Sequence, residues 1–271
     1  MKTSAETALY IIAHSDDWQL FMMPNILNEL LDPACKIVLI ITTAGDAGLS
    51  DSFWKAREEG SNSSIRFCHA AFSIIEESTG FKLYNGRTIN YSVINNTTSY
   101  FLRLPDGGLN GDGFAYSNYK SISKLEQGSI HEIEAIDGSA IYYGWTDLVN
   151  TIATIINTES EKNANCTLNY LNPSNIENPN DHPDHGSTGR AVQAGKISSF
   201  LKQRLYVGYS LTNSAELLTN EDLFWKSGMM AAYDKAIFDK CGYSTLKENV
   251  SLYINWCKRP AKYVNIFPFN K

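Results

Sequence analysis

Cysteine is scarce and unpatterned in this sequence. The five present, Cys35, Cys68, Cys166, Cys241 and Cys257, are widely spaced and form no CxxC pair. An odd, scattered set builds neither a disulfide framework nor a zinc knuckle, so these are expected to be reduced thiols of a cytoplasmic protein. No stretch approaches the run of about 18 apolar residues that would cross a membrane. No membrane span is expected on that ground, and residues 1–7 lack signal-peptide character. Charge of one sign is not concentrated either: 23 Lys and Arg stand against 29 Asp and Glu, a net −6 without blocks. A mildly acidic chain with scattered basic residues would be repelled by phosphate, which argues against a nucleic-acid partner. There is no internal repeat and no low-complexity segment. No G-x-G-x-x-G follows the first apolar run, and the two aspartates there would repel a pyrophosphate, so a dinucleotide-dependent oxidoreductase is disfavoured. Triplets such as Asn62-Ser63-Ser64 and Asn96-Thr97-Thr98 are read as products of an Asn- and Ser-rich composition.

What is present is enough for a substantial core: 43% hydrophobic and 12% aromatic residues in 271. The length suits one α/β domain with insertions, spanning 1–271. Ala8–Ala13 and Lys36–Thr43 read as strands buried on both faces. Leu20, Phe21, Ile26, Leu27 and Leu30 recur at helical spacing between them, with Pro24 imposing a kink or a late start. A long helix is expected from Asp51 or Ser52 to about Glu77. Residues 80–104 break into short β-like pieces, and about 80–140 reads as loops and an antiparallel excursion rather than a second domain. Thr146 can cap the next helix. Thr167–Tyr170 and Leu205–Tyr209 read as strands, Ser187–Leu201 and Asn220–Lys240 as helices, and the aromatic tail from Leu252 as docking back on the core. Alternating strands and helices predict an α/β fold with a mainly parallel sheet. Ligands in such sheets bind beyond the carboxyl ends of the strands.

Two clusters fall at that edge. Ala13-His14-Ser15-Asp16-Asp17-Trp18 closes the first strand, and Asp181-His182-Pro183-Asp184-His185 opens a downstream helix. Zinc takes imidazole nitrogen and carboxylate oxygen, and a catalytic site keeps one position open. His14 and Asp17 lie three residues apart on a tight turn, so both can face one ion while Asp16 points elsewhere. His182 and His185 repeat that spacing, and Pro183 suits a first helical turn. Taken singly, Asp16, Asp17 and Asp181 are equally readable as helix N-caps. The other two histidines, His69 and His131, are read as satisfied or solvated. Arg57-Glu58-Glu59 reads as a solvated helix face, or Arg57 as a partner for an anionic ligand group.

With both clusters in place, the sequence resembles the PIG-L/LmbE-like family of zinc-dependent de-N-acetylases, which includes enzymes acting on N-acetylglucosamine attached to inositol or malate. The family's A-H-P-D-D-E pattern is matched by Ala13-His14-Ser15-Asp16-Asp17-Trp18, and its H-P-D-H by His182-Pro183-Asp184-His185. Thr43-Ala44-Gly45-Asp46-Ala47-Gly48 resembles the glycine loop after the second strand, and Trp54–Gly60 the arginine-bearing helix that follows. The resemblance runs from about residue 8 to 210 and is weakest at 80–140 and beyond 240.

It implies a Rossmann-like three-layer fold with the site at the C-terminal edge of the strands. It implies that His14, Asp17 and His185 bind zinc, and that Asp16 is the general base for a metal-activated water. His182 would polarise the amide oxygen or protonate the leaving amine, with Asp184 orienting it. Arg57, Asp106 and Trp18 are candidates for substrate contact. Zn2+ is expected, although iron or another divalent ion suits the same ligands. The implied activity is hydrolysis of an N-acetyl, or other acyl, group from an amino sugar or its conjugate: a metal-dependent amidohydrolase with a small-molecule substrate, compatible with an oligomer. The rival reading is a non-catalytic sugar- or metabolite-binding protein on the same fold, kept in view by Trp18 in place of the family's glutamate. Ser15 in place of proline loosens the turn without removing a ligand. Tyr91, Tyr100, Tyr116, Tyr119, Tyr142, Tyr143 and Trp145 could stack on a sugar but are mostly read as packing.

Overall fold

The two apolar, β-branched runs form β1 (Glu6–Ile12) and β2 (Cys35–Thr43). These strands pair in parallel, with Tyr10 opposite Leu39. The structure is a computed structural model and describes residues 6–49, 51–161, 165–197 and 201–267. Between β1 and β2 lie α1 (Asp17–Phe21) and α2 (Asn25–Leu30). Pro24 separates them, because its ring has no place inside one continuous helix. Helix α3 (Asp51–Ala70) stops short of Glu77, where β3 (Glu77–Tyr84) begins. Then follow β4 (Arg87–Ile94), β5 (Thr97–Leu104), α4 (Ile122–Glu126) and a small hairpin of β6 (Glu132–Glu134) and β7 (Ile141–Tyr143). Helix α5 (Trp145–Ser160) starts one residue before Thr146, with Gly144 at its N-cap. β8 (Cys166–Leu171) precedes α6 (Pro183–Ala194), which begins earlier than Ser187 and ends before Leu201. β9 (Lys202–Tyr206), α7 (Asn220–Cys241), α8 (Thr245–Cys257) and β10 (Tyr263–Ile266) complete the chain.

Among the described residues, eight strands join one sheet in the order β10-β9-β8-β1-β2-β5-β4-β3. The sheet is mixed, which corrects the expectation of a mainly parallel one. β9, β8, β1, β2 and β5 run parallel, while β10, β4 and β3 add antiparallel pairs at the two edges. Residues 77–104 are thus part of the main sheet rather than an excursion from it. Their hairpin turns through Asn85 and Gly86, at φ 49° and 73°. That is the Asn-Gly pair whose twist suits a two-residue hairpin.

Strand alternation divides the core into two layers. Ala8, Tyr10 and Ile12 pack with residues of α1, α2, α3, α7 and α8; Leu9 and Ile11 pack with those of α5 and α6. Burial stabilises each large apolar side chain by about 1.5–3 kcal/mol. A one-residue slip of β1 would exchange its two faces. From β1 the chain proceeds outward through β2 to β5, then returns to place β8 on the other side of β1. The order reverses between β1 and β8, and a crevice opens beyond the carboxyl ends of strands at such a reversal. His14 and Asp17 follow β1 there, and His185 follows β8. Among the described residues, no helix is long and apolar enough to cross a membrane.

Candidate metal centre and active site

The turn after β1 is held by its own carboxylate. Asp17 Oδ2 accepts from the backbone N–H of Ala13 at 3.0 Å and of His14 at 2.8 Å. Its other oxygen, Oδ1, is left facing His185 Nε2 at 3.1 Å and His14 Nδ1 at 3.6 Å. The two ring nitrogens are 3.2 Å apart. One donor atom from each of His14, Asp17 and His185 therefore lies within 4.8 Å of the others, and all three residues are buried. Two imidazoles and a carboxylate on one point match the donor set of a divalent transition-metal site.

Electrostatics points the same way. Burial disfavours charge on His185, yet Asp17 and Asp181 raise its pKa to about 10. His14 behaves alike: burial opposes its charge, but Asp17, Asp184 and Asp106 lift it well above the usual histidine range. Burial would raise Asp17, and the two histidines instead hold it well below the ordinary carboxylate range. Such a cluster is built around a positive charge, and a cation could supply it in place of protons.

Asp181 is a supporting group that sequence reasoning left outside the site. Its Oδ1 faces His185 Nδ1 at 2.9 Å, which leaves Nε2 free to act as a ligand. It also accepts from the backbone N–H of Tyr209 at 2.9 Å. A Cβ on Gly208 would lie 2.5 Å from that same oxygen, so the close approach needs glycine. Its place four residues before His185 was the only signal available, and it equally suggested a helix cap.

Asp16 occupies the N-cap position of α1 but makes no capping bond with its side chain. Its carboxylate points into the cavity instead. Arg57 Nη2 donates to Oδ1, and Tyr253 Oη donates to Oδ2 at 2.8 Å. Arg57 is itself fixed: Nη1 donates to Gly45 O at 2.7 Å and Nε to Tyr233 Oη at 2.8 Å. The structure thus places Arg57 against Asp16 at the cavity wall.

His182 does cap α6. Its Nδ1 accepts from the backbone N–H of Asp184 at 3.2 Å. That role assigns the ring proton to Nε2, which lies 3.9 Å from Asp106 Oδ1. Burial and the neighbouring His14 lower the pKa of His182 to about 4, so the ring is neutral and its Nε2–H is a donor. Asp184 Oδ2 lies 3.8 Å from His182 Nδ1 and 3.5 Å from His14 Nε2, and accepts from the Gly107 N–H at 2.8 Å. Asp106 accepts from the Gly108 N–H at 2.7 Å and approaches both His14 and His182 to 3.9 Å.

His14, Asp16, Asp17, Arg57, Asp106 and His182 all line one cavity of about 120 Å³. Its remaining walls are aromatic or apolar: Leu20, Phe21, Tyr209, Tyr253 and Trp256. None of the seven aromatic residues singled out from sequence is among them. Trp18 is not brought there either: it is fully buried in the core, its Nε1 donating to Ser61 Oγ at 2.9 Å. His182 also borders a second, larger cleft of about 510 Å³ with Asn110, Asn172, Asn175, Asn178 and Gln127 in its walls.

The arrangement could hold a cation, with a carboxylate held on two sides and an imidazole N–H around one small space. Two solved structures share this architecture over nearly the whole chain. One is a deacetylase of the teicoplanin biosynthesis pathway in complex with bog: 12% identity and a TM-score of 0.50, covering 98% of this chain and 100% of that one. The other is the zinc-inhibited form of teicoplanin deacetylase Orf2: 13% identity and a TM-score of 0.50 over the same shares. The fold is that of these deacetylases. At this identity the likeness establishes the fold, and the chemistry rests on the side chains just described. No family model matches the sequence, and no curated protein matches it.

Proposed function

We propose that this chain is a metal-dependent amidohydrolase of the PIG-L/LmbE-like type, which removes an acetyl group from an amino sugar or its conjugate. The observation that carries this reading is the convergence of His14, Asp17 and His185 within 4.8 Å, beside a carboxylate that is buried yet spared from capping. His14, Asp17 and His185 would hold the ion, and the two-nitrogen, one-oxygen donor set favours Zn2+. When bound, the ion acts as a Lewis acid on the amide carbonyl and makes water more acidic.

The rest of the chemistry falls to this chain's own groups. Asp16 accepts the proton of the attacking water as its oxygen bonds to the acyl carbon. The Nε2–H of His182 donates to the negative charge that develops on the carbonyl oxygen. As the C–N bond breaks, the proton held by Asp16 passes to the nitrogen and restores the carboxylate; the acetic acid formed gives its own proton to the free amine or to solvent, leaving acetate. The backbone N–H of Asp184 holds His182 Nδ1, and the carboxylates of Asp106 and Asp184 lie beside His14 and His182. The apolar wall of Leu20 and Phe21 suits a methyl group, and a cavity of about 120 Å³ is too small for a whole sugar. The sugar would then extend into the polar, amide-lined cleft on the other side of His182. Free cysteines suit a reducing, cytoplasmic setting.

Acetate release tests the reading. Zinc-loaded chain is offered N-acetylglucosamine, its methyl glycoside, and its inositol and malate conjugates. Metal-dependent release from at least one is expected. A chain that binds zinc stoichiometrically and releases acetate from none would support the binding-protein alternative instead.

A further inference from the structure

We infer that Tyr253 is a positioning residue that fixes the plane of the Asp16 carboxylate. The inference rests on the hydrolase reading above and adds a part that the recognised motifs lack, since it comes from α8, beyond the region of resemblance.

Helix α8 is mostly exposed. Its buried residues are Thr245, Tyr253 and Trp256, and the latter two both turn into the cavity. They do different work. Trp256 seats the helix: its ring packs against Phe21 and Tyr209 with centroids 5.3 and 4.9 Å apart, and Nε1 donates to Tyr209 O at 3.2 Å. Tyr253 makes the polar contact, donating its phenol hydrogen to Asp16 Oδ2 at 2.8 Å.

A carboxylate attached at Cβ can rotate about its last bond. The guanidinium of Arg57 donates to one oxygen and resists that rotation, but a single hydrogen bond stretches and bends enough to let the plane librate. A second donor on the other oxygen removes that freedom. Each carboxylate oxygen has two lone pairs, so one on Oδ2 stays available while Tyr253 occupies the other. The base is thereby aimed at one point before substrate arrives, and a misplaced base loses rate steeply. This constraint acts on the base rather than on substrate, so its loss should appear in kcat and not in KM.

Tyr253→Phe removes one oxygen and keeps the ring. The panel member that the unaltered chain cleaves fastest serves as the probe. A fall in kcat on the order of tenfold is expected, with KM within about twofold and unchanged zinc stoichiometry. Crystals of the variant should show Asp16 in more than one orientation. Trp256→Phe, which loosens α8 while sparing the phenol, should lower the melting temperature with a smaller loss of kcat. An unchanged kcat, an Asp16 that keeps its single orientation, or losses of kcat in equal proportion in the two variants would each overturn the role. If the unaltered chain cleaves nothing in the panel, the hydrolase reading fails on its own, and the orientation of Asp16 in the Tyr253→Phe crystal still decides the present one.

Discussion

At the scale of single residues, each proposed role separates binding of the ion from turnover. Asp16→Asn keeps the shape of the side chain and removes its basicity, and Asp16 is not among the three converging donors. The variant should retain stoichiometric zinc while acetate release falls about 100-fold or more, as loss of a general base does. Retained turnover would remove Asp16 as the base. Asp181→Asn works in the opposite sense. It keeps an acceptor for His185 Nδ1 but withdraws the charge, so zinc affinity should weaken by about 10-fold, measured by competition with a chelating dye. Unaltered affinity would count Asp181 as a purely structural tie to the Tyr209 backbone. Local spacing placed His14 with Asp17, and His182 with His185, while the choice of His185 to complete the set was implied by the family resemblance. Asp181 was ambiguous because an aspartate before a helix reads first as a cap. Tyr253 and Trp256 fell in the aromatic tail read as docking back on the core, but nothing local placed them at the cavity, which they reach through a helix that returns from the far end of the chain.

At the scale of elements, the helices around the site are joined by one buried lysine. Lys226 of α7 is fully buried, and its Nζ donates to Leu20 O at 2.6 Å and to Trp256 O and Arg259 O at 3.0 Å each. It ties α1 to the end of α8 and satisfies carbonyls left open at a helix terminus. Burial lowers its pKa from 10.5 to about 8. Below pH 8 it is charged in the folded and unfolded chain alike, and the burial cost is borne in full. Between about 8 and 10.5 the unfolded chain keeps the proton that the folded chain has released, so stability rises with pH across that window. The gain is up to about 3 kcal/mol. Urea denaturation of the unaltered chain and Lys226→Met should differ by an amount that moves in favour of the unaltered chain from pH 8 to 10. A difference independent of pH would place the Lys226 titration elsewhere. Periodicity revealed most of these helices, and their errors were at the ends. α3 stops at Ala70 and α6 starts at Pro183, since pattern shows which face is buried and says little about where capping ends a helix.

At the scale of the whole molecule, the continuous apolar runs of β1 and β2 revealed a sheet buried on both faces, but not its composition. Phe81–Tyr84 read as a short β piece, but its place at the edge of the main sheet did not show, because an edge strand need not be apolar: of Glu77–Tyr84 only Tyr84 is buried. Strand order was beyond local pattern as well, and it is the order that brings the two motifs together. With β1 and β8 adjacent and the chain reversing between them, the candidate donors come from segments far apart in sequence: His14 and Asp17 after β1, His185 after β8. An ion there would join the exits of two central strands, a cross-link available only to the folded chain. Binding to the folded state alone adds about 2.7 kcal/mol at a free ion concentration 100 times the dissociation constant. For a chain of this size that corresponds to roughly 5 °C in melting temperature. Chelation should lower the melting temperature of the unaltered chain by about this much, and readdition of zinc should restore it. Asp17→Asn, which removes one donor and the charge that the two histidines surround, should melt at the same temperature with and without chelator. A chelator effect of equal size in both would show that the stabilising ion sits elsewhere in the fold, and no effect in either would show that the cluster holds none.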